Sequence, residues 1–228
     1  MAPILRANKI KKSFFRPEQL DILKEISLEI YPGQSLAIMG SSGEGKSTLL
    51  QILGTLEAPT SGTIEIVQKY VDKSNASNIR NKHIGFVFQG YNLLSDYSAL
   101  HNVLMPALIA KEQIHKGSFN YNRALELLAH VNLEERAHYP TKLLSGGEKQ
   151  RVAIARALCN NPEIILADEP SGNLDHATST VIHNLLLQCA KQYGKGLIIV
   201  THDEELALLC DSILTLKEGQ LYGDTNDG

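Results

Sequence analysis

The chain has 228 residues with 22 Lys+Arg against 25 Asp+Glu, a formal net charge of −3; that is room for one large α/β domain, or a core with a smaller insertion, and it argues against a broad basic face for nucleic acid. Cys159, Cys189 and Cys210 sit among apolar neighbours without C-x-x-C spacing, so no metal site or disulfide framework is expected and they read as reduced core residues of a cytosolic protein. No run approaches the ~20 apolar residues needed to span a bilayer; residues 103–110 are the best stretch and Pro106 interrupts it, while residues 1–16 lack the apolar stretch of a signal peptide.

In chain order, residues 4–10, 22–30 and 35–39 read as strands, the last two joined by the turn residues Tyr31, Pro32 and Gly33. The basic cluster Lys9, Lys11, Lys12 and Arg16 on the first of these reads as a solvated strand end. After Gly40 the period changes to helical, with Leu49, Leu50, Ile52 and Leu53 on adjoining turns and Gly54 as the stop. Residues 64–67 and 84–88 read as strands, and the polar stretch 68–82 between them as a surface loop. Helical periodicity dominates residues 91–158, for example Leu125, Leu127, Leu128 and Val131, and marks a helical insertion. Compact apolar runs at 164–167 and 197–200, separated by a helix-length segment at 177–191, are of the kind buried in a parallel sheet. Strand–helix alternation of this kind gives an α/β fold in one composite domain, with about 1–90 and 160–228 as the core and about 91–159 as the helical part.

Chemistry concentrates at three places. Gly40-Ser41-Ser42-Gly43-Glu44-Gly45-Lys46-Ser47, followed by Thr48, fits G-x-x-x-x-G-K-[ST] between an apolar strand and an apolar helix. Such a loop aims backbone N–H groups and a helix N-terminus at phosphate oxygens. Lys46 would neutralise β/γ-phosphate charge and the Ser47 hydroxyl would complete part of a Mg²⁺ shell, so ATP and Mg²⁺ are the expected ligands. A carboxylate inside the loop would repel nucleotide, so Glu44 is expected to face solvent. The run 164–169 ends in Asp168-Glu169, at a strand end where open α/β sheets place ligands. Asp168 would hold Mg²⁺ directly or through water, and Glu169 would orient and polarise the attacking water. The third place is Ser145-Gly146-Gly147-Glu148, which opens an amphipathic helix and offers a second anion-binding helix N-terminus.

The string 144–151 resembles the signature motif of ATP-binding cassette (ABC) ATPases, and the other motifs of that family fall in order around it across nearly the whole chain. Gln89 resembles the Q-loop glutamine, which in the family also approaches the Mg²⁺; Ser171-Gly172-Asn173-Leu174-Asp175 resembles the D-loop, and His202 the switch histidine. Phe14 stands where the adenine-stacking aromatic is found, with Phe15 adjacent and equally able to stack. The resemblance implies a P-loop NTPase cassette with a RecA-like core, an N-terminal antiparallel β subdomain and an inserted α-helical subdomain. It also implies a head-to-tail homodimer in which Ser145, Gly146, Gly147 and Asp175 contact ATP across the interface, with Glu169, His202 and Gln89 as the catalytic set.

Residues 85–94, with Asn102, Val103 and Pro106 beyond, are similar to the lipoprotein-release and macrolide-export branch of the family. That branch implies a peripheral ATPase on the cytoplasmic face of the inner membrane, transmitting force to integral membrane permease subunits through the surface after Gln89. Tyr91, Leu93 and Leu94 there either meet the permease or pack the helical part. His101 and Glu44 depart from the branch pattern without removing a catalytic group. A non-transporting relative that controls cell-wall hydrolysis, or a soluble cassette acting on ribosomes or DNA, would share the ATP chemistry.

Overall fold

The computed structural model describes residues 2–15 and 19–223; Arg16 of the basic cluster lies outside them. Two sheets organise the chain. Strands β1 (Leu5–Phe15), β2 (Gln19–Ile30), β4 (Ser61–Ile66) and β5 (Lys69–Tyr70) form an antiparallel sheet in the order β2-β1-β4-β5. Strands β3 (Ser35–Met39), β6 (Ile84–Phe88), β7 (Ile164–Asp168), β8 (Gly196–Val200), β9 (Ser212–Lys217) and β10 (Gln220–Gly223) form the second sheet in the order β10-β9-β3-β8-β7-β6. It is parallel except for β10 on its edge.

The central strands are apolar along their middles because both faces of the sheet are covered. In β7, Ile165 and Ala167 enter one apolar cluster while Ile164 and Leu166 enter the other; in β8, Leu197 and Ile199 oppose Ile198 and Val200 in the same way. The first cluster is completed by helices α3 (Ala99–Ile109), α4 (Phe119–His130), α5 (Gly146–Ala157) and α6 (His176–Gln192). The second is completed by the antiparallel sheet and α1 (Lys46–Leu53). Cys159, Cys189 and Cys210 are free, and burial pushes each thiol up to about 11, which keeps it protonated and unreactive. No helix among the described residues is long and apolar enough to cross a membrane.

Two expectations are corrected. The stretch 68–82 is not a plain loop: it holds β5 and helix α2 (Ala76–His83). Only Ile79 of α2 is buried, so no apolar period marked it; the helix is started instead by Asp72, whose carboxylate accepts from the Ser74 and Asn75 amides at 2.7 and 3.0 Å. The lysines of β1 are not uniformly solvated either. Lys12 is buried, donates to Glu57 and to the Ala58 carbonyl (2.9 Å), and lies 4.9 Å from the centre of the Phe14 ring.

Gly85 shows how closely β6 and α5 are joined. A Cβ there would come within 2.3 Å of the Ala157 carbonyl oxygen, backbone against backbone. Gly85→Ala is therefore expected to destabilise the fold by about 1–3 kcal/mol, read as a lower midpoint in chemical denaturation at unchanged slope.

Candidate ATP site

Sheet order places the site. Strands β3, β8, β7 and β6 lie side by side and parallel, so the segments leaving their carboxyl ends emerge together on one edge. These are the glycine loop after β3, Thr201-His202 after β8, Asp168-Glu169 at the end of β7, and Gln89 after β6.

The glycine loop is shaped by its neighbours. Gly43 and Gly45 have φ of 89° and 96°, left-handed values that favour glycine, and Gly40 passes so near β9 that a Cβ would sit 2.4 Å from the Leu216 carbonyl oxygen. Lys46 folds back across the loop, its ammonium donating to the Gly40 and Ser41 carbonyls at 2.6 and 2.9 Å. Glu44 does not simply face solvent. Its carboxylate turns away from the cavity and accepts from the Glu218 amide at 2.6 Å, which relieves the repulsion expected of an acid in a phosphate loop by tying it to the turn between β9 and β10.

Opposite the loop, the Ser47 hydroxyl donates to Asp168 at 3.2 Å. Burial raises the Asp168 pKa; the negative charge of Glu169 adds to this, while the Ser47 hydrogen bond and Lys46 oppose it. A half-buried carboxylate beside a hydroxyl is a pair of hard oxygen donors suited to a small divalent cation, with phosphate and water supplying the remaining ligands. Among the described residues no group of three or more His, Cys, Asp or Glu side chains forms a metal cage.

Glu169 has a φ of 43°, an uncommon left-handed value for a residue with a side chain. It is held there from β8: its amide donates to the Val200 carbonyl at 2.9 Å, one carboxylate oxygen lies 2.8 Å from His202 Nδ1, and the other accepts from the Thr201 hydroxyl at 3.1 Å. The Glu169 side chain is only 17% exposed whereas that of His202 is 73% exposed, so the acid is fixed and the imidazole reaches outward. Gln89 and Asn173 clasp each other, the Asn173 amide donating to the Gln89 carbonyl at 3.0 Å.

An open cavity of about 720 Å³ gathers most of the expected residues: Phe14, Gly40, Ser41, Ser42, Gly43, Gly45, Lys46, Ser47, Thr48, Gln89, Glu169 and His202 line it. Phe14 is on this wall; Phe15, the alternative ring, is not. Two partners escaped the sequence reading. Ile22, which lines the cavity with Phe14, belongs to an unremarkable strand pattern, and Thr201 reads as one more β-branched strand residue.

Ser145, Gly146, Gly147 and Asp175 do not line this cavity. Ser145 caps α5 with a reciprocal pair of bonds to Glu148, at 3.3 and 2.8 Å, an arrangement worth about 1 kcal/mol. Asp175 caps α6 through the Thr178 amide and hydroxyl at 3.0 and 2.7 Å.

Leu93 packs against the first apolar cluster, as the packing reading expects, while Leu94 is 46% exposed. The Tyr91 and Asn92 carbonyls both accept from Arg156 of α5. Asn102, buried, fixes Leu94 from the other side, accepting from its amide at 2.7 Å and donating to its carbonyl at 3.0 Å. Beside this segment runs a groove of about 430 Å³ with Phe86, Phe88, Met105 and Ile109 in its lining and Arg156 at one side.

A phosphate-sized glycine loop facing an ordered acid and histidine across parallel strand ends is the apparatus of a P-loop nucleotide hydrolase. More particularly, the chain belongs to the ABC transporter family, whose model matches residues 23–172; it is an ATPase of that family. The lipoprotein-releasing system ATP-binding protein LolD of Protochlamydia amoebophila (strain UWE25) is 57% identical over 219 residues, 96% of each chain. The protein of the same description from Bacteroides fragilis (strain YCH46) is 46% identical over 93% of this chain and 97% of its own. The fold is that of an ABC cassette: the dimeric structure of MJ0796, a bacterial ABC transporter cassette, matches with a TM-score of 0.85 at 40% identity over 95% of this chain and 96% of that one. A dimeric post-hydrolysis state of the same cassette, bound to ADP and Pi, matches equally well at 39% identity, covering 96% and 98%.

Proposed function

We propose that this chain is the ATP-hydrolysing subunit of a membrane ABC transporter that releases lipoproteins from the bacterial inner membrane. The observation that carries this reading is the 57% identity to a lipoprotein-releasing ATPase over 96% of both chains, supported by a cavity that gathers the glycine loop, Gln89, Glu169 and His202. Two copies pack head to tail, so that the glycine loop of one and Ser145, Gly146, Gly147 and Asp175 of the other enclose ATP. Two findings support this: those four residues lie off the cavity of their own chain, and the similar cassette is dimeric.

Ser47 and Asp168, together with Gln89, would hold Mg²⁺, which would neutralise charge on the phosphates. Lys46 binds the phosphates, Phe14 stacks on adenine, Glu169 orients the attacking water, and His202 is held by Glu169 where it can reach the γ-phosphate. The permease meets the surface after Gln89, where exposed Leu94 and the apolar groove beside Arg156 lie together. On this reading the protein works on the cytoplasmic face of the inner membrane, and no nucleic-acid partner is expected.

The test is a pull-down from detergent-solubilised source membranes with the Glu169→Gln variant and Mg-ATP as bait. Recovery of a permease with a large extracytoplasmic domain together with lipoproteins is expected. Recovery of such a partner with cell-wall hydrolases would replace lipoprotein release by control of division, and recovery of ribosomal or DNA-bound proteins alone would remove the transporter.

A further inference from the structure

Behind the Glu169–His202 pair lies a buried imidazole with no part in the scheme above. His183 projects from α6 with its side chain 4% exposed, and its Nε2 lies 2.6 Å from the Ser171 hydroxyl and 3.7 Å from an Asp203 carboxylate oxygen. Ser171 is two residues beyond Glu169 and opens the 171–175 segment; Asp203 directly follows His202. One side chain therefore touches both stretches of backbone that leave the pair.

The Asp203 charge favours the tautomer with the proton on Nε2, since a lone pair there would face a negative oxygen. Nε2–H then donates to Ser171 Oγ. Burial holds the His183 pKa below its ordinary value, although Asp203 and Glu205 pull the other way, so the ring is a neutral donor. Asp203 is fixed in turn: its other oxygen accepts from the Leu206 amide at 3.0 Å, and its own amide donates to the Thr201 hydroxyl at 3.0 Å. That hydroxyl is the one that donates to Glu169 at 3.1 Å. Hydrogen bonds join Ser171 to His183, and Asp203 through Thr201 to Glu169, while His183 and Asp203 meet in a 3.7 Å contact. A wholly buried ring on a helix could be apolar at no cost in hydrogen bonds; a polar ring must keep its partner or lose stability.

We propose that His183 is a positioning residue for ATP hydrolysis. It fastens the start of the 171–175 segment to the residue after His202, so that seating of that segment against a second copy of the chain is felt at the Glu169–His202 pair. The inference rests on the head-to-tail dimer of the proposed function.

The test uses steady-state ATPase kinetics of the full chain. His183→Leu is expected to lower kcat about tenfold, the scale of lost support for a reacting group, with KM for ATP within about twofold. The Hill coefficient for ATP should fall with it. His183→Gln, whose amide can donate to Ser171, should recover most of the rate. Ser171→Ala should show the same split, and the double variant with His183→Leu should lose no more than His183→Leu alone. Should His183→Leu not fold, Ser171→Ala removes the same bond from the other side and decides by the same criterion. Wild-type kcat in the folded variants, a glutamine no better than leucine, or losses that multiply in the double variant would overturn the proposal. Failure of the dimer reading is distinguishable: it shows as absence of an ATP-dependent dimer on sizing of Glu169→Gln, whereas the double-variant comparison is read from kcat.

Discussion

Glu169→Gln is expected to reduce ATP hydrolysis by about a hundredfold or more while leaving ATP binding intact. The amide keeps the shape of the side chain, so the partners at Thr201 and His202 remain near their places. What it removes is the negative charge and the proton acceptor beside the attacking water, and positioned general bases contribute about 10²–10⁴-fold. Retained γ-phosphate should prolong the closed state, so the variant should run as a dimer on sizing columns equilibrated with Mg-ATP and as a smaller species without nucleotide. Undiminished hydrolysis would remove Glu169 from its role, and a species that stays monomeric with ATP at every concentration would remove the main support for the head-to-tail arrangement.

Lys46→Ala should act one step earlier, on binding. Its ammonium already bridges two carbonyls of the loop, which holds the charge at the loop where the phosphates are expected. Hydrogen bonds to charged groups contribute about 1.5–3 kcal/mol, which corresponds to a fall in ATP affinity of roughly 10- to 150-fold. Titration with a fluorescent ATP analogue measures this, and a thermal melt without nucleotide checks that the variant folds. Unchanged affinity would count against assigning phosphate binding to residues 40–48.

The parts of the site that could be read from the sequence are those that physical constraints make repetitive. Strands covered on both faces must be apolar throughout, which exposed 164–167 and 197–200; a loop that approaches another backbone must use glycine, which exposed 40–45. The unread parts obey weaker constraints. Helix α2 buries a single side chain and so carries no period, and β9 has only Leu216 fully buried, leaving its pairing with β3 unannounced. Thr201 was illegible as a site residue, and Glu44 was legible as a loop residue without its partner, because Glu169 and the Glu218 amide are brought to them by the fold. The same holds for Lys12, whose charge looked solvated until Glu57 and Phe14 were seen around it.

The tie between Glu44 and Glu218 spans 174 positions of sequence, and Gly40 leans on Leu216 in the same region. During synthesis the phosphate loop therefore emerges from the ribosome long before the strand that shapes it. A nascent chain could complete the antiparallel sheet early, but the phosphate loop would gain these supports only once residues 216–218 had been made. Local pairing alone thus leaves the loop unbraced on that side, and its final shape depends on contacts of high sequence separation.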